Sequence, residues 1–562
     1  VRFSAPPAYL LSALLVLAAL PAPSLDFSAP GTPEDVASAL VAAMDDGEAL
    51  AQTFMLGWVG ADPSPLILRW IEERRIGGVK IFGWNTDDTG QLAAAVGKLQ
   101  SAALGGPQKI PLLMATDQEG GWIRHVKGDT SETPGNMAIG ASGFPRDAYL
   151  SGYYIGRELA ALGINMNFAP AVDLYTNRDS VLLGPRTFGD DPVRVGTLGA
   201  AFAKGLSRAG IIATAKHFPG HGDTEDDSHG VLPEIPVPFE VLWDRELIPY
   251  RMLSREGVPV VMSGHLAFPQ TPGGYVPASL SPWFMTDILR QRIGFAGLII
   301  TDDLLMNGAT ATTGSLARSA EQALRAGNDI LLFSRTPELD DPVWTRLADA
   351  MAADPAFRAR VRDAARRVLA LKLRYLRGTD APPLIPDPAE VKKRVPDPEG
   401  RAFFLDLAVR SVTLAAGDPA ALPLSAETAG RVLLAGQFEA FFSAGSALFP
   451  DASRYRFSYN RPEDGGDEAG DLYAQARRAD TVVFCLANAY SLSLLRRLEN
   501  SGPRVIVLSV LSPVYLEKLP WIDAAVALYS YAPESFIAGF SFLGGRIGAQ
   551  GRMPYAASGN RR

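Results

Sequence analysis

Between residues 54 and 333 the chain repeats one pattern: a short, nearly unbroken apolar run, a polar turn, then a longer stretch with helical spacing. The runs are Phe54–Val59, Gly78–Phe82, Leu112–Thr116, Ile164–Ala169, Ile211–Lys216, Val258–Ser263, Leu298–Thr301 and Asp329–Phe333. Continuous apolar runs suit parallel strands that are covered on both faces. Eight of them over about 280 residues match the size and count of a (β/α)8 TIM-type barrel. The basic, helically spaced stretch Phe357–Leu376 closes that domain. Gly378–Gly400 then holds six prolines, the composition of a semi-rigid spacer. Beyond it, Val412–Ala415, Val432–Ala435, Val482–Leu486, Val505–Ser509 and Ala525–Tyr529 alternate with helix-like segments such as Leu472–Arg478 and Ser491–Asn500. These predict a smaller α/β sandwich. The expected division is a signal peptide at 1–24, a barrel at 25–378, a linker at 379–400 and a sandwich domain at 401–562.

Composition changes this picture in a few places. Arg2, the apolar run Ala8–Leu20 and the small residues after it predict a secretory signal. The run is short of the roughly 20 residues a membrane span needs. The expectation is a secreted or periplasmic protein with no stable membrane span once the signal is removed. At 562 residues the chain exceeds one ordinary core, and 47% hydrophobic with 20% charged residues describes a folded protein. A net charge of −8 gives no electrostatic footprint for nucleic acid. Cys485 is the only cysteine, which excludes an intramolecular disulfide and a cysteine-rich metal site; its run VVFCLA marks it as core. Nothing in the sequence fixes an oligomeric state.

Candidate chemistry gathers at the carboxyl ends of the expected strands, where barrel enzymes keep their reactive groups. Leu112–Thr116 runs into Asp117-Gln118-Glu119-Gly120-Gly121, and Ile211–Ala215 into Lys216-His217-Phe218-Pro219-Gly220-His221. Val258–Met262 leads to Ser263-Gly264-His265, and Leu298–Thr301 to Asp302-Asp303. All five histidines (His125, His217, His221, His229 and His265) fall between residues 125 and 265. The segment Lys216–His229, KHFPGHGDTEDDSH, admits a metal site or acid–base chemistry by Asp227 and His229. Pro219, Gly220 and Gly222 break any helix that would put His217 and His221 on one face, which disfavours the metal. A carboxylate two residues from a histidine can fix the imidazole's tautomer and hold its charged form. Asp226 and Asp227 could equally do no more than solvate a loop. Asp302 can attack a sugar's anomeric carbon or cap the next helix, and Asp303 fits the capping role better. His221 and His265 read as hydrogen-bonded scaffolding, and Trp84 and Trp122 as either sugar platforms or core.

The segments QTFMLGWVG (52–60), TDQEGG (116–121), NFAPAVDL (167–174), GPRTFGDDP (184–192), KHFPGHGDTEDDSHGVLP (216–233), VVMSGHLAFP (260–269) and LIITDDLLMNGA (298–309) together resemble glycoside hydrolase family 3, in its β-N-acetylglucosaminidase branch. The match beyond residue 400, to the family's two-domain members, is weaker. The resemblance implies a retaining exo-β-N-acetylglucosaminidase (β-N-acetylhexosaminidase) that acts on muropeptide or chitin-type oligosaccharides in peptidoglycan turnover. It implies Asp302 as the nucleophile and His229, paired with Asp227, as acid then base. It implies Asp117, Arg186, Lys216 and His217 as sugar-binding residues. The partner is a small carbohydrate substrate; neither a metal nor another cofactor is implied. Where the family reads Arg-Val-x-Arg after the EGG turn, this chain has Trp122-Ile123-Arg124-His125. Either Arg124 reaches the space of the second arginine, or the site lacks that cation and His125 stands in its place. The alternatives are a related N-acetylglucosaminide phosphorylase, a β-glucosidase, and a catalytically silent sugar-binding protein.

Overall fold

The structure, a computed structural model, describes residues 1, 25–86, 88–180, 183–224, 230–417, 422–463 and 466–556. The run read as a signal peptide lies outside them, as do Asp227 and His229. Eight parallel strands close a barrel: β1 (Phe54–Gly57), β2 (Gly78–Ile81), β3 (Leu113–Thr116), β4 (Met166–Asn167), β5 (Ile212–Phe218), β6 (Val260–Ser263), β7 (Leu298–Asp303) and β8 (Ile330–Phe333). Each lies on one of the eight apolar runs, and β1 pairs with both β2 and β8. Alternate residues separate two cores. Met55, Leu113, Met166, Ile212, Val260, Leu298, Ile300 and Leu332 fill the barrel interior. Phe54, Leu56, Met114, Ala213, Val261, Ile299 and Leu331 face the surrounding helices. The helices Pro33–Ala43 and Pro355–Leu376 plug the amino end of the barrel with Val36, Leu40, Val368 and Leu369.

Three strands, β4, β5 and β7, depart from their runs where the site lies. β4 keeps only two ladder residues, because Asn side chains take over part of the pairing. Asn165 accepts from Met114 N at 2.8 Å, and Asn167 from Gln118 N at 2.9 Å. β5 and β7 run two residues further than expected, so His217, Asp302 and Asp303, like Lys216, belong to the strands themselves.

A second domain carries a six-stranded sheet of β9 (Thr413–Gly417), β10 (Val432–Gly436), β11 (Ser453–Arg456), β12 (Thr481–Leu486), β13 (Arg504–Ser509) and β14 (Ala524–Ala527), in the order β9-β14-β13-β12-β10-β11. Only β9 is antiparallel to its neighbour. One face, with Leu434, Val483, Cys485 and Leu508, lies under Phe441, Phe536 and Phe540. The other, with Leu433, Phe484 and Val507, lies under Leu472, Leu495 and Leu516. The proline-rich segment lies against the barrel: it carries the helix Pro388–Arg394, and Asp397 N donates to Glu158 Oε1 at 2.8 Å. Among the described residues no helix is long and apolar enough to cross a membrane.

Candidate active site

The carboxyl ends of β2, β3, β5 and β7 converge on one cavity of about 220 Å³. Phe82, Phe168, Met262, Met306 and Leu332 give it apolar surface. Its polar wall is a chain of fixed charges. Asp117, following β3, lies between two buried ammonium groups: Lys80 of β2 on Oδ2 and Lys216 of β5 on Oδ1. Lys216 also reaches Glu119 Oε1 at 2.7 Å. Arg186 grips the same carboxylate with two bonds, Nε to Oε2 at 3.0 Å and Nη2 to Oε1 at 2.7 Å. Burial alone would raise both carboxyl pKa values, but these cations outweigh it. Lys216 and Lys80 hold Asp117 well below the carboxylate range, and Arg186 and Lys216 bring Glu119 down to about 2.

His217 is oriented from behind. Its Nδ1 is 2.8 Å from Asp173 Oδ2, which fixes the proton on that nitrogen and turns Nε2 toward Arg186 Nη2 at 3.5 Å. Asp173 also accepts from His221 N at 2.8 Å. The buried His221 lines the cavity wall, and burial with the nearby His217 pushes its pKa down to about 4. His265 is spent on scaffolding: Nδ1 faces Ser279 Oγ at 2.7 Å, and Nε2 faces Asp303 O at 3.1 Å.

The two carboxylates of β7 have separate employments. Asp303 Oδ1 accepts from Leu305 N at 3.1 Å and Ser334 N at 3.0 Å, the backbone-serving role expected for it. Asp302 accepts only from Asp303 N, at 2.8 Å, and makes no ion pair among the described residues. Burial raises its pKa, but His217, His265, the Asp303 N–H and Lys216 together leave it lowered, hence ionised at neutral pH.

Around His125 the structure shows where the candidate cations lie. Arg124 turns away, to Thr130 O at 2.7 Å and Glu132 Oε1 at 3.1 Å. The cation beside His125 is Lys80, with Nζ 3.3 Å from His125 Nδ1. Nδ1 also lies 3.5 Å from Asp117 Oδ2, but the ammonium is closer and can only donate, which favours Nδ1 as acceptor and the ring proton on Nε2. Burial and Lys80 push the His125 pKa down to about 4, so it is neutral at neutral pH. Trp84 is 51% exposed and stacks on Phe82 at 4.4 Å, one ring further out than the cavity wall.

The structure therefore brings Asp117, His125, Arg186, Lys216, His217 and Asp302 to one cavity. Sequence reasoning missed Lys80, Glu119 and Asp173 as members of the site. Lys80 had a signal: one lysine inside a strand buried on both faces needs a carboxylate partner. Among the described residues no three potential ligands converge as a metal site would require.

Both sequence and fold have relatives. Residues 50–371 match the family described as glycosyl hydrolase family 3 N terminal domain. A beta-hexosaminidase A of Pseudoalteromonas piscicida is 31% identical over 382 residues, 64% of this chain and 62% of that protein. The chain thus matches less than two thirds of that relative's length. A beta-N-acetylglucosaminidase/beta-glucosidase of Cellulomonas fimi is 29% identical over 566 residues, 92% of this chain and 94% of that one. Among solved structures, a glycoside hydrolase family 3 beta-N-acetylglucosaminidase from Paenibacillus sp. str. FPU-7 matches with a TM-score of 0.82 at 29% identity, covering 92% of this chain and 99% of that one.

Proposed function

The chain belongs to glycosyl hydrolase family 3, and from that premise we propose that it is a retaining exo-β-N-acetylglucosaminidase. The observation that carries the reading is the contrast among the cavity's carboxylates. Asp117 and Glu119 are held by cations and Asp303 by backbone N–H groups, whereas Asp302 lines the cavity ionised and, among the described residues, without an ion pair. A carboxylate in that state can attack an anomeric carbon and form a glycosyl-enzyme. The paired groups Asp117, Lys216 and Arg186, with His217, offer fixed acceptors and donors to sugar hydroxyls. The proton steps fall to His229 with Asp227: an imidazole with pKa near 6.5 can protonate the leaving oxygen and then deprotonate the incoming water.

The name of the Paenibacillus enzyme supports N-acetylglucosamine as the sugar, that of the Cellulomonas relative pairs it with glucose, and that of the Pseudoalteromonas relative supports a hexosaminide. Cell-wall or chitin-type oligosaccharides are the proposed substrates, met outside the cytoplasm if Ala8–Leu20 directs export. The test is a panel of aryl β-glycosides, with and without phosphate. The expected result is fast release from the N-acetylglucosaminide, slow release from glucoside and xyloside, and a free sugar product in either buffer. A sugar phosphate as the main product would overturn hydrolysis; equal rates on glucoside would overturn the sugar assignment.

A further inference from the structure

We propose that Ser512 and the segment Gly551–Ala556 of the sheet domain are the positioning device for Arg186, so that the second domain sets the barrel's affinity for its sugar. This rests on the reading that Arg186 binds substrate. Arg186 sits on a one-turn helix, Gly184–Arg186, in the long connection between β4 and the helix Pro192–Arg208. A connection of that length with little regular structure is ordinarily mobile. On its inner side Asn136 Nδ2 donates to Arg186 O at 2.8 Å, Asn177 N donates to Gly222 O at 3.2 Å, and the Arg186 guanidinium is paired with Glu119.

Its outer side is laced to the other domain. Asp190 N donates to Pro554 O at 3.3 Å, and Ala556 N to Asp190 Oδ2 at 2.9 Å. Arg178 donates to Ala556 O and to Asp190 Oδ2, both at 2.9 Å, with its guanidinium 4.1 Å from the centre of the Tyr555 ring. Tyr555 meets Tyr175 edge-on at 5.3 Å, and the Tyr175 hydroxyl lies 3.1 Å from Ser512 Oγ. The approach demands glycine at position 189 and leaves little room at 184. A Cβ on Gly189, whose φ is +139°, would fall 2.2 Å from Pro554 O, and one on Gly184 would fall 3.2 Å from Ser512 Oγ. The lacing segment is itself anchored at both domains, by Gly551 N to Val412 O at 2.9 Å and Arg552 N to Ala141 O at 3.0 Å. Loss of this lacing frees the connection, and displacing a binding group by about 1 Å can cost 10²-fold.

The test compares Tyr555→Ala, Tyr555→Phe and Arg178→Gln in the full chain, using whichever aryl β-glycoside the wild type turns over best. Tyr555→Ala and Arg178→Gln should raise KM about tenfold while kcat changes less than about threefold. Tyr555→Phe should behave as wild type, because its hydroxyl has no hydrogen-bond partner among the described residues. In an Arg186→Ala background Tyr555→Ala should add nothing further to KM, since both act on one interaction. Additive effects, or an unchanged KM, would overturn the proposal. Hydrogen exchange is a readout independent of catalysis: amides of 175–190 should exchange faster in Tyr555→Ala and recover in Tyr555→Phe. Unchanged exchange would overturn the lacing even if the wild type cleaved no glycoside, an outcome that by itself sinks the functional reading instead.

Discussion

Both ends of the barrel bury charge, and they use it differently. At the amino end Asp329 is wholly buried and accepts from Arg290 Nη2 at 2.5 Å, Arg360 Nη2 at 2.7 Å and Ile299 N at 3.0 Å. The two guanidiniums spend further donors on loop carbonyls, Arg290 on Phe295 O at 3.1 Å and Arg360 on Asn328 O at 2.7 Å. That cluster is saturated; a cavity of about 340 Å³ lies beside it, lined by Pro259, Gly297, Leu298, Ala370 and Tyr375, but Asp329, Arg290 and Arg360 are not in its lining. At the carboxyl end the pairs of Lys80, Asp117, Lys216, Glu119 and Arg186 ring a cavity, and Asp302 stands in it without a counter-ion among the described residues. Buried charge does not mark a reaction site; a gap between fixed charges does.

The sharpest way to break this comparison is to remove one carboxylate from each end. Asp302→Ala should lower kcat/KM by about 10⁴-fold or more on every glycoside, because no glycosyl-enzyme can form. Its unfolding midpoint should barely move, since among the described residues that carboxylate accepts only from the Asp303 N–H. Asp329→Ala should do the opposite. It strands Arg290 and Arg360, which should cost about 3–5 kcal/mol of unfolding free energy in urea. The kcat of the folded fraction should stay at the wild-type value. Loss of activity in Asp329→Ala at full stability would show that the amino end takes part in catalysis and would end the distinction.

The barrel was legible because strands covered on both faces must be apolar throughout, and each of the eight runs therefore announced itself. The edge strand β11 was not: Ser453-Arg454-Tyr455-Arg456 is largely exposed and carries no apolar run. In the site, Asp117, Lys216, His217 and Asp302 were legible as polar residues at expected strand ends, whereas Arg186, on a turn between β4 and the next helix, came only from the family resemblance. Lys80 was hidden because a strand reading treats one charge in an apolar run as noise, and the carboxylate that stabilises it lies 37 residues away. The role of His125 could not be read without its surroundings, since its neutral state follows from burial and then from the Lys80 ammonium 3.3 Å away. The lacing of the Arg186 connection was hidden for a related reason: its partners lie more than 300 residues further along the chain.

A smaller effect tests whether the amino end is as closed as Asp329 suggests. Lys372, on the helix that plugs it, is wholly buried, and its ammonium donates to Gln52 Oε1 at 2.9 Å. Burial pushes its pKa down to about 7, against about 10.4 for an unfolded lysine. Between those values the unfolded chain keeps a proton that the folded protein gives up, so stability rises with pH there, by up to about 1.4 kcal/mol per unit. Below pH 7 both states are charged and the whole penalty of burying the ammonium is present; above about pH 10.4 it is gone. Lys372→Met removes this slope. Its unfolding free energy in urea, measured at pH 6, 8 and 9.5, should exceed that of the wild type most at pH 6, with the gap closing as pH rises. The gain is reduced by about 1 kcal/mol for the acceptor left on Gln52. Equal pH slopes in the two proteins would mean that Lys372 stays protonated through folding. The amino end would then admit enough water to solvate a charge, and it would no longer differ in kind from the end that holds the cavity.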